Sequence, residues 1–167
     1  MGQLIAFILS HLPIILFGAA LLVAGWRRDG RSAAGRLLDW LLLLSVGVET
    51  LWAGLFHVFA PQVAAASIGW QVSPFQFEVG VADISIGLVA IIAFWRSLAF
   101  KSAVVGYITL FYAGVAIGHV QQAIEVQNFA PNNFGVLLVL TLAKAVILPL
   151  LLARAWREER GMIAASH

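Results

Sequence analysis

The chain alternates long apolar stretches with short polar breaks. A helix needs roughly 20 apolar residues to cross the hydrocarbon core of a bilayer. Five stretches reach that length, at about residues 3–25, 37–60, 76–95, 102–126 and 134–155. They predict an all-α membrane protein, a five-transmembrane-helix bundle forming a single transmembrane domain over residues 1–167. The breaks carry recognisable stop signals. Pro61 ends the second stretch, because proline has no N–H with which to continue a helix. Residues 62–72 are uncharged and include Val63, Ile68 and Trp70, which predicts an interfacial segment anchored by the indole. Ser73 reads as the N-cap of the third helix, Pro74 as its first residue and Gln76 as the reciprocal member of a capping box. Pro13 predicts a kink in the first helix, with His11 bonding the carbonyl that the kink frees. Asn128, Asn132 and Asn133 read as turn and cap residues of the last break.

Composition sharpens this picture. Hydrophobic residues make up 62% of the chain and charged residues 11%, whereas soluble domains are about 25% charged. Cysteine is absent, which excludes disulfides, thiolate metal sites and cysteine nucleophiles. No basic run lies outside the short loops and no nucleic-acid motif is present, so the expected partners are the lipid bilayer and a small ligand or ion. Gly114 and Gly118 form a small-xxx-small pair suited to close approach by a neighbouring helix, and Gly18, Ala19, Gly47, Ala53, Gly54, Gly80 and Gly87 suit the same purpose. A homo-oligomer or larger membrane complex is compatible with these faces.

Charge placement predicts orientation. Arg27, Arg28, Arg31 and Arg36 fill the first break, Arg96 and Lys101 flank the third, and Arg154, Arg157 and Arg160 follow the last stretch. The second and fourth breaks hold no Lys or Arg. By the positive-inside rule the N-terminus lies outside and the C-terminus in the cytoplasm. The first stretch lacks a basic leader and its positive charges follow it, so it reads as a retained helix rather than a signal peptide.

The ionisable residues inside the stretches are the functional signal, since such groups normally face the bundle interior or a water cavity. At about 1.5 Å per residue, His57, His119, Glu78 and Asp83 fall roughly 5, 9, 3 and 10 Å below the outer ends of their helices. Glu49 and Lys144 both fall roughly 15–16 Å deep, which suggests an intramembrane ion pair. His57, Glu78, Asp83, His119 and Gln122 are the candidate binding residues for a cation, proton or small solute. His57, Glu78 and His119 form the candidate metal set, because imidazole with carboxylate suits several divalent metals. Glu78 and Asp83 are about 140° apart around one helix, so Glu78 is taken as a direct ligand and Asp83 as a supporting or proton-relay acid. Two histidines on different helices also suit the axial ligands of a b-type haem.

Two runs carry a resemblance. Ile68-Gly69-Trp70, Ser73-Pro74-Phe75-Gln76 and Glu78-x-Gly80-x-Ala82-Asp83 form the first; Gly118-His119-x-x-Gln122 and Asn128-x-Ala130-Pro131-x-Asn133 form the second. Together they resemble an uncharacterised family of small multi-pass bacterial membrane proteins, over roughly residues 50–150. The resemblance implies a bacterial inner-membrane location and supplies no reaction. Asp83 stands where the resemblance leads one to expect asparagine, which makes the site more acidic. The leading functional expectation is an outward-facing His/carboxylate pocket serving transport of a cation, proton or small solute, with no enzymatic motif in evidence. The alternatives are a membrane oxidoreductase subunit holding haem or quinone through His57 and His119, and a structural or assembly partner without chemistry.

Overall fold

The computed structural model describes residues 2–27 and 30–165, without the side chains of residues 2–6, 8–10, 163 and 165. Arg28, counted above with the first basic break, lies outside the described residues. The helices are α1 (Gly2–Trp26), α2 (Ala33–Trp40), α3 (Glu49–Phe59), α4 (Pro61–Ile68), α5 (Phe75–Ala93), α6 (Leu98–Glu125) and α7 (Val136–Ala165). A π-helical stretch, Leu41–Val48, joins α2 to α3, so the chain runs as one helix over Ala33–Phe59. Among the described residues four helices are long and apolar enough to cross a membrane: Ala33–Phe59, Phe75–Ala93, Leu98–Glu125 and Val136–Met162. His11–Trp26, within α1, is a shorter apolar helix.

Local chemistry explains most of the boundaries. Ser32 caps α2 by accepting Gly35 N–H at 3.1 Å. Ser97 caps α6 by accepting Phe100 N–H at 3.4 Å. This cap starts α6 at Leu98, ahead of the expected 102, and takes Lys101 out of the turn into the first helical turn. Pro61 opens α4 instead of merely ending α3, and Gly69 closes α4 in the left-handed conformation at φ 70°. The capping box expected at Ser73 does not form. Pro74 occupies the N-cap position without a side-chain cap bond. Gln76 Nε2 donates instead to the Pro61 carbonyl at 2.7 Å, tying the start of α5 to the start of α4.

The closest helix contact is α3 and its π-helical lead-in against α5. Four glycines make it possible. A Cβ on Gly54 would lie 2.7 Å from the Gly80 carbonyl and from Ile84 N, and one on Gly87 would lie 2.6 Å from Leu51 N. Gly47 and Gly80 are similarly confined. Gly18, Gly114 and Gly118 differ from expectation: a Cβ on any of them meets nothing within 4 Å among the described residues.

The apolar core gathers where α2, the π-helical stretch, α5, α6 and α7 meet, around Leu38, Leu41, Leu42, Val46, Ile108 and Leu148. Large apolar residues such as Leu22, Leu110, Val139 and Leu150 point outward. Outward leucine and valine suit hydrocarbon surroundings, where packing and polar contacts hold helices together in place of a hydrophobic driving force. At the basic end the buried carboxylate of Asp39 bridges Arg31 and Lys101, which ties α2 to α6. Trp156 Nε1 donates to Ser102 Oγ at 3.1 Å and ties α6 to α7 nearby.

Candidate functional site

The π-helical stretch sets up the site. Glu49 N–H bonds the carbonyl of Leu44, five residues back, and α3 beyond it runs in the ordinary four-residue register. The Ser45 carbonyl lies at this change of register, where a π turn typically leaves an acceptor to other groups. Lys144 Nζ, from α7, donates to it at 3.0 Å and to Glu49 Oε1 at 2.7 Å. The ammonium also lies 5.0 Å from the centroid of the Tyr112 ring on α6, a favourable cation–π arrangement. Tyr112 OH is 3.2 Å from Thr50 Oγ1. Lys144 is 1% exposed, so removal from water is offset by an anion, a carbonyl and an aromatic face together.

Asp83 extends this centre. It is buried on α5, against the Gly54 crossing, within electrostatic reach of Glu49 and Tyr112. No hydrogen bond or ion pair to the Asp83 carboxyl is found among the described residues. Glu78 points the other way and is exposed. The roles anticipated for the two acids are therefore exchanged in position: the helix turns Asp83 inward and Glu78 outward.

A cavity of about 90 Å³ opens beside Glu49, toward the end of the bundle that carries α4. Its walls come from α1, α3, α4, α7 and the residues before α7, and its polar lining is Glu49, Trp52, His57, Ser67 and Asn132. Glu49 Oε2, Trp52 Nε1 and His57 Nδ1 are buried without a hydrogen-bond partner among the described residues. The space suffices for a few water molecules or a small cation, since one water needs roughly 10–15 Å³ on this measure. On the other side of Glu49 the bundle closes over Leu38, Leu41, Leu42 and Leu148, each fully buried.

His119 belongs to a different structure. Its Nδ1 is 2.7 Å from Asn133 Oδ1, and its ring centroid lies 5.8 Å from that of Trp70. Trp70 Nε1 donates to the same Asn133 oxygen at 3.1 Å. Asn133 Nδ2 donates to the Asn128 carbonyl at 2.8 Å, and Asn128 Nδ2 donates to the Ile68 carbonyl at 2.9 Å. The fully buried Asn133 sits in a turn, as the sequence suggests, its N–H bonding the Ala130 carbonyl at 2.8 Å, and its side chain is in addition the hub of a latch holding the end of α4 to the α6–α7 connection. Gln122 supports that connection through its backbone, its carbonyl accepting from Val126 and Asn128 N–H; it does not line the cavity. His11 is exposed and bonds the Phe7 carbonyl at 2.8 Å, one turn back along α1, rather than the carbonyl released by Pro13.

His57, Glu78 and His119 are consequently not gathered into a metal site: among the described residues no three His, Asp or Glu groups are placed to hold a metal ion. Nor do His57 and His119 face one another across an opening, because only His57 lines the cavity. Trp52 and Ser67 line it without having been singled out as site residues from sequence, and Asn132, read there only as a turn or cap residue, lines it too.

Membrane-length helices enclosing a buried ionised centre and a small polar cavity define a multi-helix membrane protein. The chain belongs to DUF6790, a family of unknown function, whose family model matches residues 5–161. This agrees with the resemblance to an uncharacterised family and extends it over nearly the whole chain. No curated protein and no solved structure matches.

Proposed function

We propose that the protein is a five-span bacterial inner-membrane protein, N-terminus outside and C-terminus in the cytoplasm, that binds a proton or small cation at Glu49 and Asp83 in the service of transport. The observation that carries this reading is a count of charge in the buried centre. One carboxyl, Glu49, is paired with the only ammonium of this centre, Lys144, while the second, Asp83, lies within electrostatic reach of Glu49 and has no cationic partner of its own among the described residues. An unpaired carboxylate is too costly to keep in such surroundings. A proton or a bound monovalent cation supplies the missing positive charge. The cavity at His57 offers an approach from the α4 end, and the leucine-lined closure beyond Glu49 blocks the other, as one state of an alternating-access cycle requires. A small polar solute carrying a positive charge would satisfy the same centre.

Orientation rests on the one-sided Lys and Arg distribution. A green fluorescent protein fused after the last residue is expected to fluoresce, and an alkaline phosphatase fused there to be inactive; the reverse pattern would overturn the orientation. For the activity, the full chain is reconstituted into vesicles loaded with a pH-sensitive dye and subjected to a pH jump or an inward sodium or potassium gradient. Wild-type vesicles are expected to respond to one of these cations, and Asp83→Asn vesicles to respond at the level of empty vesicles. Equal responses of the two proteins would sink the reading. A haem or quinone held through His57 and His119 finds no support in the geometry, since His119 is committed to Asn133 and Trp70.

A further inference from the structure

Helices α5 and α6 follow one another through the short connection 94–97, yet they touch little along their length. A groove of about 550 Å³ opens between them. Ile86, Val104 and Ile108 form its buried floor, and exposed Phe100 and Ala103 stand on its α6 rim. The hydroxyl of Ser85, also in the wall, is spent on the Val81 carbonyl at 2.8 Å, so the surface offered is apolar.

The groove has a length and a polarity. From Phe100 to Ile108 it runs about 12 Å along α6, close to the roughly 15 Å of one leaflet's hydrocarbon. Its deep end is apolar; at the end nearer the connection stands Arg96, exposed and with no side-chain partner among the described residues. Beside it Trp95 is 67% exposed, the kind of aromatic that settles at the lipid headgroup level. The connection joins the two helices at that end, and a single methylene chain suits a groove of this length and apolar lining.

We infer that this groove seats one acyl chain of an anionic phospholipid, with its phosphate drawn to Arg96. The apolar floor takes the chain, and the unpaired guanidinium selects the headgroup by charge and by paired hydrogen bonds to phosphate oxygens. The site is separate from the Glu49–Asp83 centre and does not depend on it.

The test is native mass spectrometry of the full chain released from nanodiscs made of equal parts phosphatidylglycerol and phosphatidylcholine. The wild-type protein is expected to retain phosphatidylglycerol over phosphatidylcholine by roughly fivefold, the preference one arginine near a membrane surface supplies. Arg96→Gln should bring that ratio near one while total bound lipid stays, and Arg96→Lys should restore most of it. Ala103→Phe, on the exposed rim, should reduce retention of both lipids by filling the groove. Equal retention of the two lipids by the wild type would overturn the inference. So would an unchanged ratio in Arg96→Gln, or a dimer whose cross-links through position 103 bury the groove between copies. Arg96→Gln removes no side-chain hydrogen bond or ion pair among the described residues, so a loss of ratio is not ascribed to misfolding.

Discussion

Lys144 and Ser45 meet 99 positions apart in the chain, the ammonium donating at 3.0 Å to a backbone carbonyl that lies at a change of helical register. The same ammonium holds Glu49 Oε1 at 2.7 Å, so a break in regular hydrogen bonding and a buried ion pair stabilise one another. Breaking such a pair from one side leaves an uncompensated charge, at about 3–5 kcal/mol. Lys144→Met and Glu49→Leu are each expected to lower the unfolding midpoint in detergent strongly. The double variant should recover much of the loss. A double variant that loses the sum of the singles would show the two side chains to be energetically independent.

Asp83 is expected to behave in the opposite way. Asp83 is a buried residue and no hydrogen bond to its carboxyl is found among the described residues, so Asp83→Asn removes a charge that the fold does not use. The variant should melt at or above the wild-type temperature while losing the cation response described above. A loss of stability greater than about 2 kcal/mol would assign the carboxylate a structural partner instead.

The glycines divide into two groups with opposite expected responses. Gly54→Ala and Gly87→Ala force a methyl against backbone atoms of the facing helix, at 2.7 and 2.6 Å, and overpacking of this kind costs roughly 1–3 kcal/mol or more. Gly114→Ala and Gly118→Ala meet open space and should be neutral, or stabilising by up to about 1 kcal/mol through helix propensity. Thermal melts of the four variants in one detergent compare them directly. A destabilised Gly114→Ala would point to a contact on the free face of α6.

The Asn133 latch predicts a local effect. Asn133→Ala leaves Trp70 Nε1 and His119 Nδ1, one exposed and one half-buried, without their shared partner, at about 0.5–1.5 kcal/mol for each hydrogen bond lost. Hydrogen exchange should accelerate over residues 68–74 and 127–134, with little change in the α3–α5 contact. Uniformly faster exchange across the bundle would mean that Asn133 supports the whole fold and not the latch alone.

The sites differ in how much of them could be read along the chain. Glu49 and Lys144 were locatable because depth in a membrane helix is a count of residues, and both counts give the same level. The ends of the helices were locatable to a few residues from Pro61, Pro131 and the polar breaks. Lys101 was misplaced because Ser97 was not recognised as the cap that starts α6 one turn early. The π-helical stretch was invisible for a different reason: LLLLSVGV carries a single polar residue, Ser45, and one polar position cannot mark a face, so a change in residues per turn leaves no trace in its pattern.

What the amino-acid order determined by itself is what depends on local or one-dimensional properties: apolar helices of membrane length, breaks from proline and glycine, and the uneven placement of basic residues. Rotation of each helix about its own axis is not such a property. It is set by which neighbours pack, here by the four glycines that let α3 and α5 approach backbone to backbone. That contact turned Asp83 toward Glu49 and left Glu78 outside. It was likewise tertiary structure that gave His119 to Asn133 and Trp70, since a partner 14 residues away on another segment is chosen by the path of the chain between them.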